Sequence, residues 1–334
     1  MRRRDVVGAL VSAGMLGCAA AEAQSLSGEP RRIGVLTPQP IAEPSSLQRE
    51  PFEQGLRQLG WIPGSNVVIE YHHAQGSLER LHHMARDLAE RRVDLILARG
   101  TAAALAAKSV TNRIPIVLAV TPDPVRAGLV ASLARPGGNI TGLAFQPQGP
   151  LEAKQLELLR DGLPGIRRVA VLANALGQAT ARNAAGGTPL DNAASALGLQ
   201  LVRFDVRAEA DLPAALQGIV GASVDALLVQ ADPQILVPHR AVILALARQY
   251  RLPAIYPWKY FVEEGGLMSF GPSLHDLHIR SAAFVDRIFR GEDPAVVPIE
   301  LPTRMELVLN RKTAEALGLE FSPMLATQAD EVIE

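Results

Sequence analysis

The strongest constraint in this sequence is an alternation of short apolar runs with helix-periodic stretches, which occurs twice. Ile33-Gly34-Val35-Leu36 stops at Thr37-Pro38; Phe52, Leu56 and Leu59 then follow at helical spacing, with Gly60 as a stop. Val67 to Tyr71 is rich in strand formers, and Leu81, Met84, Ala85 and Leu88 make one apolar helical face. Val93 to Leu97 is a buried-type strand, Ala102 to Lys108 an alanine-rich helix, and Ile114 to Val120 a fourth strand with Pro115 near its start, where a missing N–H matters least. Strands of this length separated by helices predict right-handed βαβ units and a parallel sheet.

A cluster of turn formers, Arg135-Pro136-Gly137-Gly138-Asn139, breaks the pattern, and a crossover is expected near Ala144–Gln148. The alternation then restarts. Helices are expected over Leu151–Leu159, around Asn192–Leu197, over Leu212–Val220 and over Ile235–Tyr250. Strands are expected over Val169–Leu172, Leu199–Phe204, Val224–Val229 and Pro253–Tyr256. The fold class is therefore α/β, with two lobes built on parallel sheets. No close sequence repeat links the two runs, so their similarity is one of architecture.

The beginning of the chain reads as an export signal. Arg2-Arg3-Arg4 is a basic start, Val6 to Leu16 a short apolar stretch, and Ala21-Glu22-Ala23 a small-x-small cleavage site. Residues 1–23 are expected to be a signal peptide and 24–30 a flexible mature N-terminus. The arginines also allow a twin-arginine signal. The sole cysteine, Cys18, lies in this leader, so cleavage after Ala23 leaves neither disulfide nor thiol chemistry. Lipidation at Cys18 is the alternative, and Met15-Leu16-Gly17 before it fits that poorly. The expected location is the periplasm.

In open parallel sheets, ligands bind beyond the carboxyl ends of the strands. The first lobe's strands end at Thr37, at Arg99-Gly100-Thr101 and at Thr121-Pro122-Asp123; the second's end at Asn174, Asp205, Gln230-Ala231-Asp232 and Tyr256-Pro257-Trp258. From these ends, Thr37, Gly100, Thr101, Thr121, Asp123, Asn174, Asp232 and Tyr256 are the candidate ligand-binding residues. A helix starting at Gly100-Thr101 offers free N–H groups and a positive dipole end to an anion, or Thr101 only caps it. Asp123, between two prolines, receives a ligand ammonium or caps the next turn. Asn174 and Asp232 have the same two readings. Tyr256, Trp258, Tyr260 and Phe261 are the densest aromatic group in a chain with 4% aromatic residues; they stack on a ligand or pack in the core.

Other chemistry finds no support. No phosphate-binding glycine loop and no G-x-S-x-G elbow occurs in the expected contexts. His72-His73 and His82-His83 have no further ligand at metal-site spacing, and His275 and His278 read as a solvated helix face. No cofactor and no metal is expected. A net charge of -1 gives no basis for a nucleic-acid partner.

Several segments together resemble a known family: Val35-Leu36-Thr37, Phe52 to Trp61, Val67 to Tyr71, Ala119 to Val125, Gly128 to Gly142, Gly265 to Pro272 and Glu306 to Leu319. They look like the solute-binding proteins of ABC importers, a family with tryptophan- and tyrosine-binding members. The resemblance implies the type I periplasmic-binding-protein fold, two Rossmann-like lobes joined by a crossover hinge. On it rest the expected lobes, 31–144 plus 267–294 and 145–266 plus 295–334, with crossovers near Ala144–Gln148, Gly265–Met268 and Glu292–Val297. It also implies an amino-acid carboxylate at the Thr101 helix start, an amino group near Asp123 or the second-lobe acids, delivery by a monomer to an inner-membrane ABC permease, and no enzymatic activity. The chain departs from relatives that carry an aromatic and Asn-Pro at the second lobe's first strand end, since it reads Ala173-Asn174-Ala175; residues 177–188 are small, polar and glycine-rich. Two rivals are a sensor ectodomain serving a membrane receptor, and a secreted enzyme using Asp123 and Asp232 as an acid/base pair.

Overall fold

The computed structural model describes residues 29–38, 45–145, 150–175, 188–232 and 235–334. The leader, the expected flexible N-terminus before Glu29 and most of the glycine-rich 177–188 segment lie outside these residues. Two sheets organise the described chain. The first contains β1 (Arg31–Thr37), β2 (Val67–His73), β3 (Leu95–Arg99), β4 (Ile116–Thr121) and β5 (Ile140–Ala144) in the order β2-β1-β3-β4-β5, every pair parallel. Its central strands are buried along nearly their whole length, the result of having helices on both faces. β2 forms an edge, and there the polar Glu70, His72 and His73 are tolerated half-buried.

Helices α1 (Ser45–Gln58), α2 (Leu78–Glu90) and α3 (Gly100–Val110) connect these strands. In α2 the Ser77 side chain accepts the Arg80 N–H, and Leu81, Ala85 and Leu88 form the buried stripe. α3 packs closely because its buried residues are glycine and alanine.

The second sheet comprises β6 (Arg168–Asn174), β7 (Gln200–Val206), β8 (Ala226–Val229), β9 (Ala254–Tyr256), β10 (Met268–Pro272), β11 (Met305–Asn310) and β12 (Glu331–Ile333). Their order is β12-β11-β10-β9-β8-β6-β7. All its pairs are parallel except β10–β11, so the expectation of parallel sheets holds apart from this antiparallel return. Helices α4 (Pro150–Gly162), α5 (Pro189–Ala196), α6 (Leu212–Gly221), α7 (Arg240–Gln249) and α8 (Lys259–Glu263) belong to this half, as do α10 (Arg311–Leu317) and α11 (Pro323–Gln328). α7 begins five residues after the expected start at Ile235. Asp232 accepts the N–H groups of Ile235 and Leu236 in a turn, and Pro238 disfavours helix at Val237.

The 267–294 segment, expected in the first lobe, divides at Ser273. Met268–Pro272 is a strand of the second sheet, whereas α9 (Leu274–Phe289) packs on α1, β4 and β5 of the first half. Ser273 caps α9 by accepting the Asp276 N–H, so the chain leaves the sheet at a helix start and not at Gly265-Gly266. The 295–334 segment divides too. The Ala144 N–H donates to the Glu300 carbonyl, the Glu300 N–H to Gly142, and the Ile299 N–H to Leu133, so residues 295–300 stay with the first sheet. The chain thus passes between the halves three times: after Phe145, at Ser273, and between Glu300 and Met305.

One buried apolar cluster extends from Ile33, Phe52 and Leu97 through Leu143, Phe145 and Trp258 into Tyr256, Phe261 and Leu227. Separate clusters fill the opposite face of each sheet.

Candidate functional site

Parallel strands and their return helices place every β1, β3 and β4 carboxyl end on one edge of the first sheet, and every β6, β8 and β9 carboxyl end on one edge of the second. All eight sequence-selected residues stand at or shortly after these ends. Tyr256 ends its strand, but its ring lies in the core, stacked on Phe261 at 4.9 Å and 12°.

The first half's edge is built around β3. Arg99 ends this wholly buried strand and forms the N-cap of α3 without a side-chain cap bond; Gly100 follows with φ of 81°. That left-handed conformation suits glycine and lets α3 begin directly at the strand tip. Thr101 lies in the first turn and is not the cap. The unshared N–H groups of that turn and the helix dipole favour an anion.

Arg99 is only 5% exposed. Burial lowers its pKa to about 10, with Tyr71 acting in the opposite direction, so the guanidinium is still cationic at neutral pH. Tyr71 and His278, which both feel its charge, are neutral there. Burial first, and then Glu53, raise the Tyr71 phenol, although Arg99 and Arg49 pull it down. Burial, then Arg99 and His275, push His278 well below the usual histidine range. His278 is 2% exposed, which corrects the expectation of a solvated face; His275, one turn earlier, is exposed. Tyr71 donates to Glu53 at 3.1 Å, and Glu53 also accepts from Arg49 and Arg57.

Thr121 ends β4, one strand from Arg99, after an irregularity in the ladder between Leu118 and Thr121. Val120, inside that irregularity, has φ of 56°, an outlier for a β-branched residue. Thr121 is wholly buried, and its Oγ1 has no hydrogen-bond partner among the described residues. Asp123 is half-buried, and its Oδ1 accepts the Arg126 N–H at 3.0 Å, closing the next turn. Thr37 is buried at the end of β1, where its carbonyl accepts the Ala74 N–H.

At the second half's edge, Asn174 and Asp232 are brought together: Asn174 Nδ2 donates to Asp232 Oδ2 at 2.9 Å. The other Asp232 oxygen holds the Ile235 and Leu236 N–H groups at 2.5 and 3.0 Å. Both acids considered as a catalytic pair are thus committed to turns. Beyond β9, Trp258 stacks on Tyr260 at 5.9 Å and meets the edge of Phe145, from the first half, at 6.1 Å. Trp258 Nε1 is buried without a hydrogen-bond partner among the described residues, as are Ser269 Oγ and His278 Nδ1.

Sequence reasoning passed over Arg99 and treated Trp258 only as one of an aromatic group. The signal for Arg99 was present: a charge closing the otherwise apolar Leu95-Ile96-Leu97-Ala98 run directly before Gly100. Among the described residues no group of three or more His, Cys, Asp or Glu side chains could hold a metal ion, and no helix is long and apolar enough to cross a membrane.

Comparison with known proteins agrees with this architecture. A family model described as ABC transporter substrate binding protein matches residues 33–333. A tyrosine-binding protein of Clostridioides difficile is 24% identical over 324 residues, which cover 94% of this chain and 91% of that protein. Among solved structures, a conserved domain protein from Vibrio cholerae is similar with a TM-score of 0.80 and 26% identity, covering 91% of this chain and 100% of that one. The ABC domain in complex with L-Trp from Streptococcus pneumonia has the same fold, with a TM-score of 0.79 and 24% identity over 91% of this chain and 100% of that one.

Proposed function

This chain belongs to the ABC transporter substrate binding protein family, and we infer that it captures an amino acid or related carboxylate between its two halves and presents it to an ABC permease. The family binds solutes and does not catalyse, and it works outside the cytoplasm. The finer reading is periplasmic: a leader over residues 1–23 directs export, and the mature protein acts as a monomer without enzymatic activity.

The observation that carries the reading is the buried cation at the uncapped start of α3. Arg99 and the first-turn N–H groups of α3 together favour a carboxylate, since charge-assisted hydrogen bonds in a buried site are the strong ones. Asn174, Asp232 and Asp123 supply carboxylate and amide oxygens for an ammonium group. The amino acids named for the Clostridioides difficile and Streptococcus pneumonia relatives support this chemistry. The three crossings between halves, after Phe145, at Ser273 and between Glu300 and Met305, provide a hinge. A solute touching both halves favours the closed arrangement in proportion to its extra contacts there.

The test is a thermal-shift panel of the mature protein against amino acids, their amines, sugars and short peptides. Binding to the native state raises the melting temperature by mass action. Amino acids should raise it and the matching amines should not. Arg99→Met should weaken the best amino acid by roughly 100-fold, as expected for a lost ionic hydrogen bond. A response confined to sugars, or an Arg99→Met protein that binds normally, would overturn the carboxylate assignment.

A further inference from the structure

Two buried polar groups flank the hinge, one from each half. Thr121 is wholly buried and Trp258 is 4% exposed, and neither Thr121 Oγ1 nor Trp258 Nε1 has a hydrogen-bond partner among the described residues. They are neighbours through one residue. The Thr121 carbonyl accepts the Phe145 N–H at 3.0 Å, and the Phe145 ring meets Trp258 edge-on. The other tryptophan of the chain shows the usual arrangement: Trp61 Nε1 donates to Asp286 Oδ1 at 2.9 Å. Buried indole N–H and hydroxyl groups without partners are uncommon because each forfeits its hydration.

The local backbone is built to keep them there. The ladder irregularity before Thr121, with Val120 at positive φ, turns the last residue of β4 out of regular register. On the other side, a Cβ at Gly271 would collide with the Pro257 carbonyl, so glycine lets β10 pass close beneath the residue that precedes Trp258.

We propose that Thr121 and Trp258 grip a carboxylate oxygen of the solute from opposite sides of the hinge, a proposal that rests on the amino-acid reading above. An indole N–H can only donate, so its complement is an acceptor. A hydroxyl donates equally well to a carboxylate. Neighbouring strands are about 5 Å apart, so Thr121 stands one strand from Arg99 and the α3 start, within reach of the same anionic group. Trp258 makes the grip depend on both halves. It reads the carboxylate and registers closure in one contact.

The experiment is calorimetric titration of the mature protein with L-tyrosine, L-tryptophan and L-leucine, and with tyramine, tryptamine and isoamylamine as their carboxylate-free counterparts. Trp258→Phe and Thr121→Val should each weaken the acids by about tenfold, the usual value of one hydrogen bond. Thr121→Ser should bind within about twofold of wild type on the same grounds. In a Trp61→Phe background, the emission of Trp258 should respond to the non-aromatic acid L-leucine and not to isoamylamine. Circular dichroism melting checks that each variant folds; should Trp258→Phe not fold, the Thr121 series and the Trp258 emission decide. Acids that bind the folded variants at wild-type strength, or L-leucine that leaves Trp258 emission unchanged, would overturn the grip while leaving the solute-binding reading intact. Failure of all six compounds to bind wild type would overturn both.

Discussion

The two halves share a plan and divide the chemistry. The first is a five-stranded, all-parallel sheet whose carboxyl edge is electrostatic: Arg99 at the start of α3, with Tyr71 and His278 held neutral beside it. The second is a seven-stranded mixed sheet whose edge is aromatic and hydrogen-bonding: Trp258 stacked on Tyr260, and Asn174 joined to Asp232. Two similar scaffolds can thus be specialised separately at their strand ends. One half carries a buried charge at its strand ends while the other presents aromatic faces and uncharged donors.

The largest expected effect asks whether the halves are also separate in stability. Phe52 in the first half and Phe261 in the second are both fully buried, yet both belong to the apolar cluster that runs through Phe145 and Trp258. Phe52→Ala and Phe261→Ala should each cost about 3–5 kcal/mol. Because the cluster is continuous, both should lower the midpoint of the same cooperative transition in a denaturant titration. Two transitions, each moved by one variant only, would show the halves to be energetically independent.

A smaller effect contrasts the acids at the two edges. Asp232 is 8% exposed and holds two backbone N–H groups and the Asn174 amide, whereas half-buried Asp123 holds one N–H. Asp232→Ala should destabilise by about 2 kcal/mol and Asp123→Ala by about 0.5 kcal/mol, read from urea unfolding. Equal losses would mean that the Asp123 turn is as structural as the Asp232 turn.

The smallest effect is a pH dependence of opposite sign in the two halves. His278 has a depressed pKa when folded, caused by burial and then by Arg99 and His275. Its contribution is therefore intact above the unfolded value of about 6.5 and is lost as pH falls below it, at no more than about 1.4 kcal/mol per pH unit. His239 is raised. Burial opposes the shift, but the Ile235 carbonyl and Glu209 outweigh it, so its contribution is full below the unfolded value and lost as pH rises through the folded one. Between pH 7.5 and 5, His278→Gln should flatten the stability curve and His239→Gln should steepen the loss on acidification. The same slope change from both variants would break the contrast.

Much of the fold was legible in the sequence. Central parallel strands are buried on both faces, so β1, β3, β4, β6 and β8 read as continuous apolar runs bounded by turn formers. The β10–β11 return was not legible, because Gly265-Gly266 looked like a departure from the sheet when it is only the turn before another strand. At the edges, the strand-end rule selected Gly100, Thr121, Asn174 and Asp232 from topology alone. It could not tell that the ring of Tyr256, at the end of its strand, is stacked on Phe261 in the core. Nor could spacing reveal that His278 is buried while His275 is exposed, since this depends on how α9 settles against the first sheet.

That settling has a consequence for how the molecule comes into being. α9 covers the face of the first sheet that carries α1, and Asp286 on it receives the Trp61 N–H across 225 positions of sequence. A nascent chain that has emerged only as far as residue 270 therefore has the whole first sheet in hand but lacks the helix that seals it. The core of the amino-terminal half therefore cannot be completed until residues in the last fifth of the chain have been made.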